Sequence, residues 1–152
     1  MPAFVGLGAP YWSPEARASI IGLNRGSRKA QIVRAAIESI AYQVRDAVEL
    51  LQEESGVPLT ELRADGGASD NRVLMQFQSD MLDVPVLKAN VSEMSALGAA
   101  YMGGLGIGFW TSAEEITASA GEAQYLRYLP SMEDNRRDEL YRGWKKAVSS
   151  VL

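Results

Sequence analysis

The 152-residue chain contains neither cysteine nor histidine. It therefore has no disulfide, no thiolate nucleophile, no imidazole base and no zinc site of the usual ligand type. Any catalysis by this chain has to use carboxylates, lysine, hydroxyl groups or tyrosine. Because cysteine is absent and no charged-then-apolar leader opens the sequence, we expect a cytoplasmic protein.

The sequence also has no excess of basic over acidic residues. Lysine and arginine together number 15 against 19 acidic residues, which gives a net charge of −4, and the basic residues are scattered along the chain. A surface that binds nucleic acid requires a basic patch or stripe, so we expect no nucleic-acid partner. The length predicts a single domain with enough chain to bury a core.

One long stretch, Met94 to Ala113, has no formal charge, so a membrane span is one interpretation of it. Its many glycines, alanines and serines leave few large apolar side chains, however. We favour a buried helix whose small residues allow close packing against a neighbour, followed by a glycine-rich exit; these small residues are Ala96, Ala99, Ala100 and Gly103. We therefore expect no membrane partner.

Apolar periodicity and turn residues predict alternating strands and helices. The predicted elements are a strand at Ala16–Leu23, a long helix capped by Ser27 and ended by Gly56 and Pro58, a strand at Leu59–Ala64, a helix starting near Asn71, a strand at Val84–Lys88, a helix capped by Ser92, a helical stretch at Glu114–Ala120 and a charged helix at Asp134–Val151.

A strand-to-helix turn at Asp65–Asn71 is the strongest candidate for a binding site. Gly66 and Gly67 lack a Cβ, so a flat ring could approach the main chain there. The helix that starts near Asn71 would add unpaired N–H groups and the positive end of its dipole. A purely steric role for the two glycines is the alternative interpretation.

Several motifs in order carry a family resemblance: Pro2–Trp12, Ala18–Glu38, Asp65-Gly66-Gly67, Met75–Asp80 and Ser95–Tyr101. In this order they resemble the C-terminal part of glycerol kinases, which belong to the wider FGGY family of carbohydrate kinases. Three shorter runs favour glycerol kinases over xylulokinase-like relatives, namely Tyr11-Trp12, Met75-Gln76-Phe77 and Gly108-Phe109-Trp110.

The resemblance implies an α/β fold: an incomplete actin-like, ribonuclease-H-like ATPase domain with a mixed sheet flanked by helices. Residues 1–152 would form the C-terminal domain, without its first strands and without the whole N-terminal domain. Ala16–Leu23 would be the last strand of an antiparallel meander. Because the missing strands would leave sheet edges unpaired, we expect either a homo-oligomer formed through those edges or a shifted strand that closes the gap.

The resemblance also implies ATP as the cofactor, with its adenine at the double-glycine turn. Gly67 would lie against the adenine ring and Asn71 would hydrogen-bond its edge, while Gly66 and Ala68 would shape the turn. An amide can donate and accept at once, as an adenine edge requires. In the related enzymes magnesium lies at the phosphates, so the neighbouring Asp65 and Asp70 are interpreted as turn and capping carboxylates.

The family's catalytic aspartate, its polyol-binding residues and both of its phosphate-gripping loops belong to a segment upstream of Met1. We therefore assign no catalytic residue to this chain and expect it to be inactive alone. The complete enzyme, with an N-terminal kinase domain, would transfer the γ-phosphoryl group of ATP to glycerol. Alternatives are a non-catalytic nucleotide-binding or assembly module, or a fragment of another FGGY sugar kinase such as xylulokinase.

The chain departs from the family pattern at two places. Asp83 stands where relatives usually have glycine, and aspartate tolerates the left-handed conformation that such a position requires. Ser69 and Asp70 replace small apolar residues before Asn71, which leaves the polarity of the predicted adenine pocket open.

Overall fold

The computed structural model describes residues 1–91, 93–120 and 124–152. Its helices and strands alternate, and a short 3-10 turn precedes the second helix. In chain order they are α1 (Lys29–Ser55), β1 (Leu62–Ala64), the 3-10 turn (Gly67–Asp70), α2 (Arg72–Leu82), β2 (Val86–Ala89), α3 (Met94–Gly106), α4 (Ala113–Ala120), β3 (Tyr125–Tyr128) and α5 (Asp134–Ser149). The predicted α/β class, with a mixed sheet and flanking helices, is confirmed.

The sheet has three strands in the order β1-β2-β3. β1 runs parallel to β2, with Ala64 opposite Lys88, and β2 runs antiparallel to β3, with Val86 opposite Tyr128. Val86 is fully buried and anchors the sheet in the core. β3 was not predicted from the sequence, because four residues with an arginine among them give too short an apolar pattern.

The predicted strand at Ala16–Leu23 is wrong. This segment is irregular and pairs with no strand among the described residues. A strand requires a neighbour that accepts and donates its backbone hydrogen bonds. Here the main chain of Ser19 bonds only to Met1, and Ile20 is exposed.

Helix ends agree with the prediction at some points and differ at others. Arg28, not Ser27, is the N-cap of α1, and its N–H donates to Oε1 of Gln31 (3.0 Å). The Ser27 hydroxyl instead accepts from Asn24 N–H in the preceding turn. Gly56 ends α1 in the left-handed conformation, as predicted.

Three further predictions concern the ends of α2, α3 and the strands. Asp83 adopts the left-handed conformation after α2 (φ 56°, ψ 31°), which confirms that aspartate is accepted there. Ser92, predicted to cap α3, lies outside the described residues. The strand predicted at Leu59–Ala64 is shortened to β1. The strand predicted at Val84–Lys88 begins two residues later than predicted, as β2.

Three helices enclose the core. The Tyr42 ring of α1 stacks on Trp144 of α5 at 5.4 Å, with 15° between the planes, and meets Phe77 of α2 edge-on at 5.4 Å. Met81 and Val148 are almost completely buried beside them. Aromatic pairs in these geometries add to the stabilisation that area burial provides, so the contacts among α1, α2 and α5 form the centre of the core.

A buried carboxylate joins α1 to α5 and to the N-terminal loop. The Asp46 side chain, 1% exposed, accepts hydrogen bonds from the Tyr141 hydroxyl (2.6 Å), Trp144 Nε1 (2.7 Å) and the Tyr11 hydroxyl (2.9 Å). The Lys145 ammonium lies 2.9 Å from it. Such a buried charge is tolerable only when it is this fully paired.

The uncharged stretch folds differently from our expectation. α3 is thirteen residues long, and of its residues only Gly104 is buried, while Met102 is 68% exposed. The predicted buried helix is therefore wrong, because the small residues expected to pack against a neighbour are all exposed, namely Ala96, Ala99, Ala100 and Gly103. None of the helices in the described ranges has both the length and the apolar character needed to cross a bilayer.

Candidate nucleotide site

The candidate site is the turn between β1 and α2, and its first glycine is required by the backbone. Gly66 has φ +83° and ψ 170°, a region that essentially only glycine adopts. Its carbonyl accepts both the Ser69 N–H (3.0 Å) and the buried Ser69 hydroxyl (2.7 Å), which closes the turn. Glycine at position 66 is therefore explained by the fold alone.

The second glycine has no such explanation. Gly67 has an ordinary φ, and a Cβ built on it meets no atom within 4 Å. Gly67 and the neighbouring Ala68 are both exposed, so the main chain here faces open space. Because neither backbone strain nor packing in the described residues requires glycine at 67, the open space in front of it is the feature that a flat ligand could use.

Asn71 is placed beside this open space, but half of its amide is already in use. Its Oδ1 accepts from the N–H groups of Val73 (3.0 Å) and Leu74 (3.1 Å) and so caps α2. Its Nδ2 makes no hydrogen bond within the described ranges. Asn71 thus pairs two of the N–H groups that we expected the start of α2 to leave unpaired, and it can donate to a ligand without giving up the cap.

A salt bridge fixes the turn to the sheet. The Lys88 ammonium of β2 lies 2.5 Å from Oδ1 of Asp70 in the 3-10 turn. Lys88 was missed in the sequence, although the signal existed: parallel β1 and β2 end at the same edge of the sheet, and Lys88 stands opposite Ala64. In the part of the chain that the structure describes, no group of three acidic residues could hold a metal ion.

The two tyrosines whose pKa values are most strongly raised lie away from this turn. Burial raises the pKa of Tyr141, as do its hydrogen bonds to Asp46 and Glu49, and burial raises the pKa of Tyr42 to about 12. Both tyrosines belong to the packed core. The charged groups at the turn itself include Asp70 and Lys88, which pair with each other.

The family of the chain follows from comparison with known sequences. Residues 1–107 match the profile of the C-terminal domain of the FGGY family of carbohydrate kinases. The chain belongs to this family. Among its curated relatives are the glycerol kinase of Caldanaerobacter subterraneus subsp. tengcongensis, 55% identical, and that of Stenotrophomonas maltophilia strain K279a, 53% identical, both matched over all 152 residues of this chain.

Solved structures agree with this assignment. The chain superposes on Plasmodium falciparum glycerol kinase with ADP at a TM-score of 0.84 and 36% identity, covering 99% of this chain and 30% of that one. On ligand-bound xylulose kinase from Lactobacillus acidophilus the TM-score is 0.74 at 25% identity, covering 97% and 30%. The chain spans about 30% of the length of the curated relatives it matches.

Proposed function

We propose that this chain supplies the adenine-binding part of an ATP-dependent kinase that phosphorylates glycerol to glycerol 3-phosphate. The observation that carries the proposal is the open main chain at Gly67 beside the uncommitted Nδ2 of Asn71. An adenine ring stacked on Gly67 would present a ring nitrogen as acceptor to that amide donor. Gly66 and Ala68 hold the turn that shapes the surface.

The choice of glycerol as substrate rests on the relatives. Glycerol kinases match the whole chain at 53–55% identity, whereas the xylulose kinase structure matches at 25%. Phosphoryl transfer requires the nucleophile, the magnesium ion and the γ-phosphate to be held together. We therefore assign those roles, the polyol substrate included, to a partner N-terminal kinase domain, and place the complete enzyme in the cytoplasm.

We assign no phosphate-binding loop to the described residues of this chain, so its affinity for ATP should depend on the adenosine part of the nucleotide. We expect adenosine and ATP to bind equally weakly. An amide that can only donate bonds to a ring nitrogen of adenine or to the exocyclic oxygen of guanine alike, so this contact requires a base but does not select between the two purines. Binding that depends on the base and not on the phosphates is therefore the direct test of the site.

The experiment is a titration of the 15N-labelled chain with adenosine, ATP and ribose 5-phosphate, followed by the amide resonances of Gly67, Ala68 and Asn71. Adenosine and ATP should shift these resonances to the same extent at millimolar concentrations, and ribose 5-phosphate, which has no base, should not shift them. Equal shifts with ribose 5-phosphate, or none with adenosine, would refute recognition of the base and favour the non-catalytic assembly module.

A pair of glycine variants distinguishes a loss of binding caused by filling the ligand's space from a loss caused by misfolding. Gly67→Val puts a branched side chain where the ring would stack and should reduce the adenosine-induced shifts at least tenfold. Gly8→Val is the control, because Gly8 also has an ordinary φ and open space around it.

In a coupled assay with ATP, magnesium and glycerol, the unmodified chain alone should show no turnover above background. Turnover would refute the division of roles proposed above.

A further inference from the structure

A pocket outside the candidate nucleotide site opens between α1, α2 and β3. It has a volume of about 370 Å³, which falls within the size range of small-molecule sites. The described residues that line it do not belong to the turn at Gly66–Asn71. We call it the arginine pocket, because two arginines line it beside an aromatic ring, a carboxylate and a tyrosine, namely Arg34, Arg72, Phe77, Asp80 and Tyr128.

The first cation of the arginine pocket is held in place by two neighbours. Arg34 donates through Nε to Glu38 (2.5 Å), and its guanidinium carbon lies 5.7 Å from the centroid of the Phe77 ring. A guanidinium at this distance is attracted to the face of an aromatic ring. The terminal nitrogens of Arg34 make no hydrogen bond to a residue in the described ranges, so they can donate to a ligand.

The second cation has no partner in the part of the chain that the structure describes. Arg72 is exposed at the start of α2, where it forms neither a salt bridge nor a side-chain hydrogen bond with a described residue. The planar fork of an arginine can pair with both oxygens of one carboxylate. Because the charge of Arg34 is shared with Glu38, Arg72 supplies the positive charge that would attract an anion into the pocket.

A buried hydroxyl in the wall of the pocket is also without a partner. Tyr128 is 8% exposed and lines the pocket, and its hydroxyl makes no hydrogen bond to a described residue. An unpaired arginine is ordinary on a surface, but a buried hydroxyl is almost always paired. An oxygen of a ligand could accept a hydrogen bond from this hydroxyl and from the two arginines together.

The remaining wall of the pocket limits the charge of the ligand. Asp80 is 7% exposed, and its Oδ1 accepts from the Ser131 N–H (2.8 Å) and from Nε2 of Gln76 (3.1 Å). Two cations and one carboxylate therefore line the pocket. A ligand with one negative charge balances them, whereas a second charge would be repelled by Asp80. Val73 and Met132 add apolar surface for the body of the ligand.

We propose that the arginine pocket binds a small organic acid that carries a single carboxylate on an aromatic or aliphatic body. The carboxylate accepts from the guanidinium groups of Arg34 and Arg72 and from the Tyr128 hydroxyl. The body packs against Val73 and Met132. A phosphate ester, which carries two charges at neutral pH, is the competing ligand.

The test is a titration of the 15N-labelled chain with benzoate, followed by the amide resonances of Val73, Phe77 and Met132. Benzyl alcohol is the neutral probe of similar size, and phenyl phosphate is the doubly charged one. Benzoate should bind about tenfold more tightly than benzyl alcohol, because hydrogen bonds between charged groups are stronger than those of a neutral hydroxyl. Equal affinity for benzyl alcohol, or tighter binding of phenyl phosphate than of benzoate, would overturn the proposal.

Charge variants locate the carboxylate. Arg72→Gln removes the unpaired cation and should weaken benzoate binding about tenfold. Arg142→Gln is the matched control, because Arg142 is an exposed arginine of α5 that does not line the pocket, and it should leave the affinity unchanged. An equal loss in both variants would mean that benzoate responds only to the net charge of the chain, and the proposal would fail.

A tyrosine variant tests the third donor. Tyr128→Phe keeps the ring and removes only the hydroxyl, so benzoate binding should weaken severalfold while the thermal unfolding midpoint does not fall. Unchanged benzoate affinity would overturn the proposed position of the carboxylate. No nucleotide is present in these measurements, so failure here would leave adenine binding at Gly67 unaffected.

Discussion

The cluster around Asp46 and the turn at Gly66–Asn71 represent opposite ways of using polar groups. Asp46 is buried and satisfied by hydroxyl, indole and ammonium donors, whereas the turn leaves Gly67 facing open space and Nδ2 of Asn71 unbonded within the described ranges. α2 connects the two regions, since Asn71 caps it and Phe77 packs from it onto the core. The carboxylate that holds the core and the glycine that faces open space are therefore separate, and mutations should distinguish them.

The largest effect is expected at Asp46. Asp46→Ala removes the acceptor that Tyr141 and Trp144 share. The buried Trp144 Nε1 is left without a partner and the Lys145 ammonium loses its carboxylate, while the Tyr141 hydroxyl keeps only Glu49. Breaking such a buried pair costs roughly 3–5 kcal/mol. Thermal unfolding followed by circular dichroism should show the midpoint falling by about 10 °C.

Glu53→Ala is the control for that variant, because Glu53 is an exposed carboxylate on the same helix. Its midpoint should stay within about 2 °C of the unmodified chain, as for most surface substitutions. Equal destabilisation by the two variants would mean that the Asp46 cluster contributes nothing specific, and the contrast between the two regions would fail.

The second-largest expected effect is a difference in stability between alanine variants of the two glycines of the turn. Gly66→Ala forces a Cβ into a backbone region that costs about 1–3 kcal/mol for other residues, so the unfolding free energy in urea should fall by that amount. Gly67→Ala should change it by less than about 0.5 kcal/mol, because the added methyl meets no atom. A comparable loss at both positions would show that Gly67 also has a structural role.

Much of this arrangement could be predicted from local sequence. The start of α2 near Asn71 was predicted from apolar spacing, although capping was assigned to Asp65 and Asp70 and Asn71 is the residue that caps it. The left-handed turn at Asp83 was predicted from the tolerance of aspartate for that conformation. These features depend on residues within one turn of each other. Local rules are sufficient where the interaction itself is local.

The failures depended on distant partners. Ala16–Leu23 has strand-forming residues but no neighbouring strand in the described ranges, and α3 has small residues that stay exposed. The pairing of Lys88 with Asp70 and the burial of Asp46 also join elements far apart in the chain. The hydrophobic periodicity of one segment does not indicate whether a second segment is present to pack or pair with it.

A smaller effect should follow from alkaline pH. Burial raises the pKa of Tyr42 to about 12, so the folded state retains a proton that the unfolded chain loses near pH 10. The stabilisation from this group is complete below pH 10 and is lost as the pH rises towards 12. Urea unfolding at pH 8 to 12 should show a steeper loss for the unmodified chain than for Tyr42→Phe.

Tyr42→Phe is informative because it keeps the ring that packs on Phe77 and Trp144 while removing the titrating hydroxyl. Below pH 9 the two proteins should have similar unfolding free energies. Parallel curves over the whole pH range would show that Tyr42 ionises in the folded state as easily as in water, which contradicts its burial in the core.

The smallest effect is expected at the salt bridge beside the turn. The Asp70 side chain is 59% exposed, and exposed ion pairs contribute roughly 0–1 kcal/mol and are screened by salt. Lys88→Met and Asp70→Asn should therefore each lower the unfolding midpoint by about 1–3 °C at low ionic strength and by less in high salt. The double variant should match either single one, because both remove the same pair. An effect as large as that of Asp46→Ala would mean that the turn is held as firmly as the core, and the open space at Gly67 would then belong to a rigid surface.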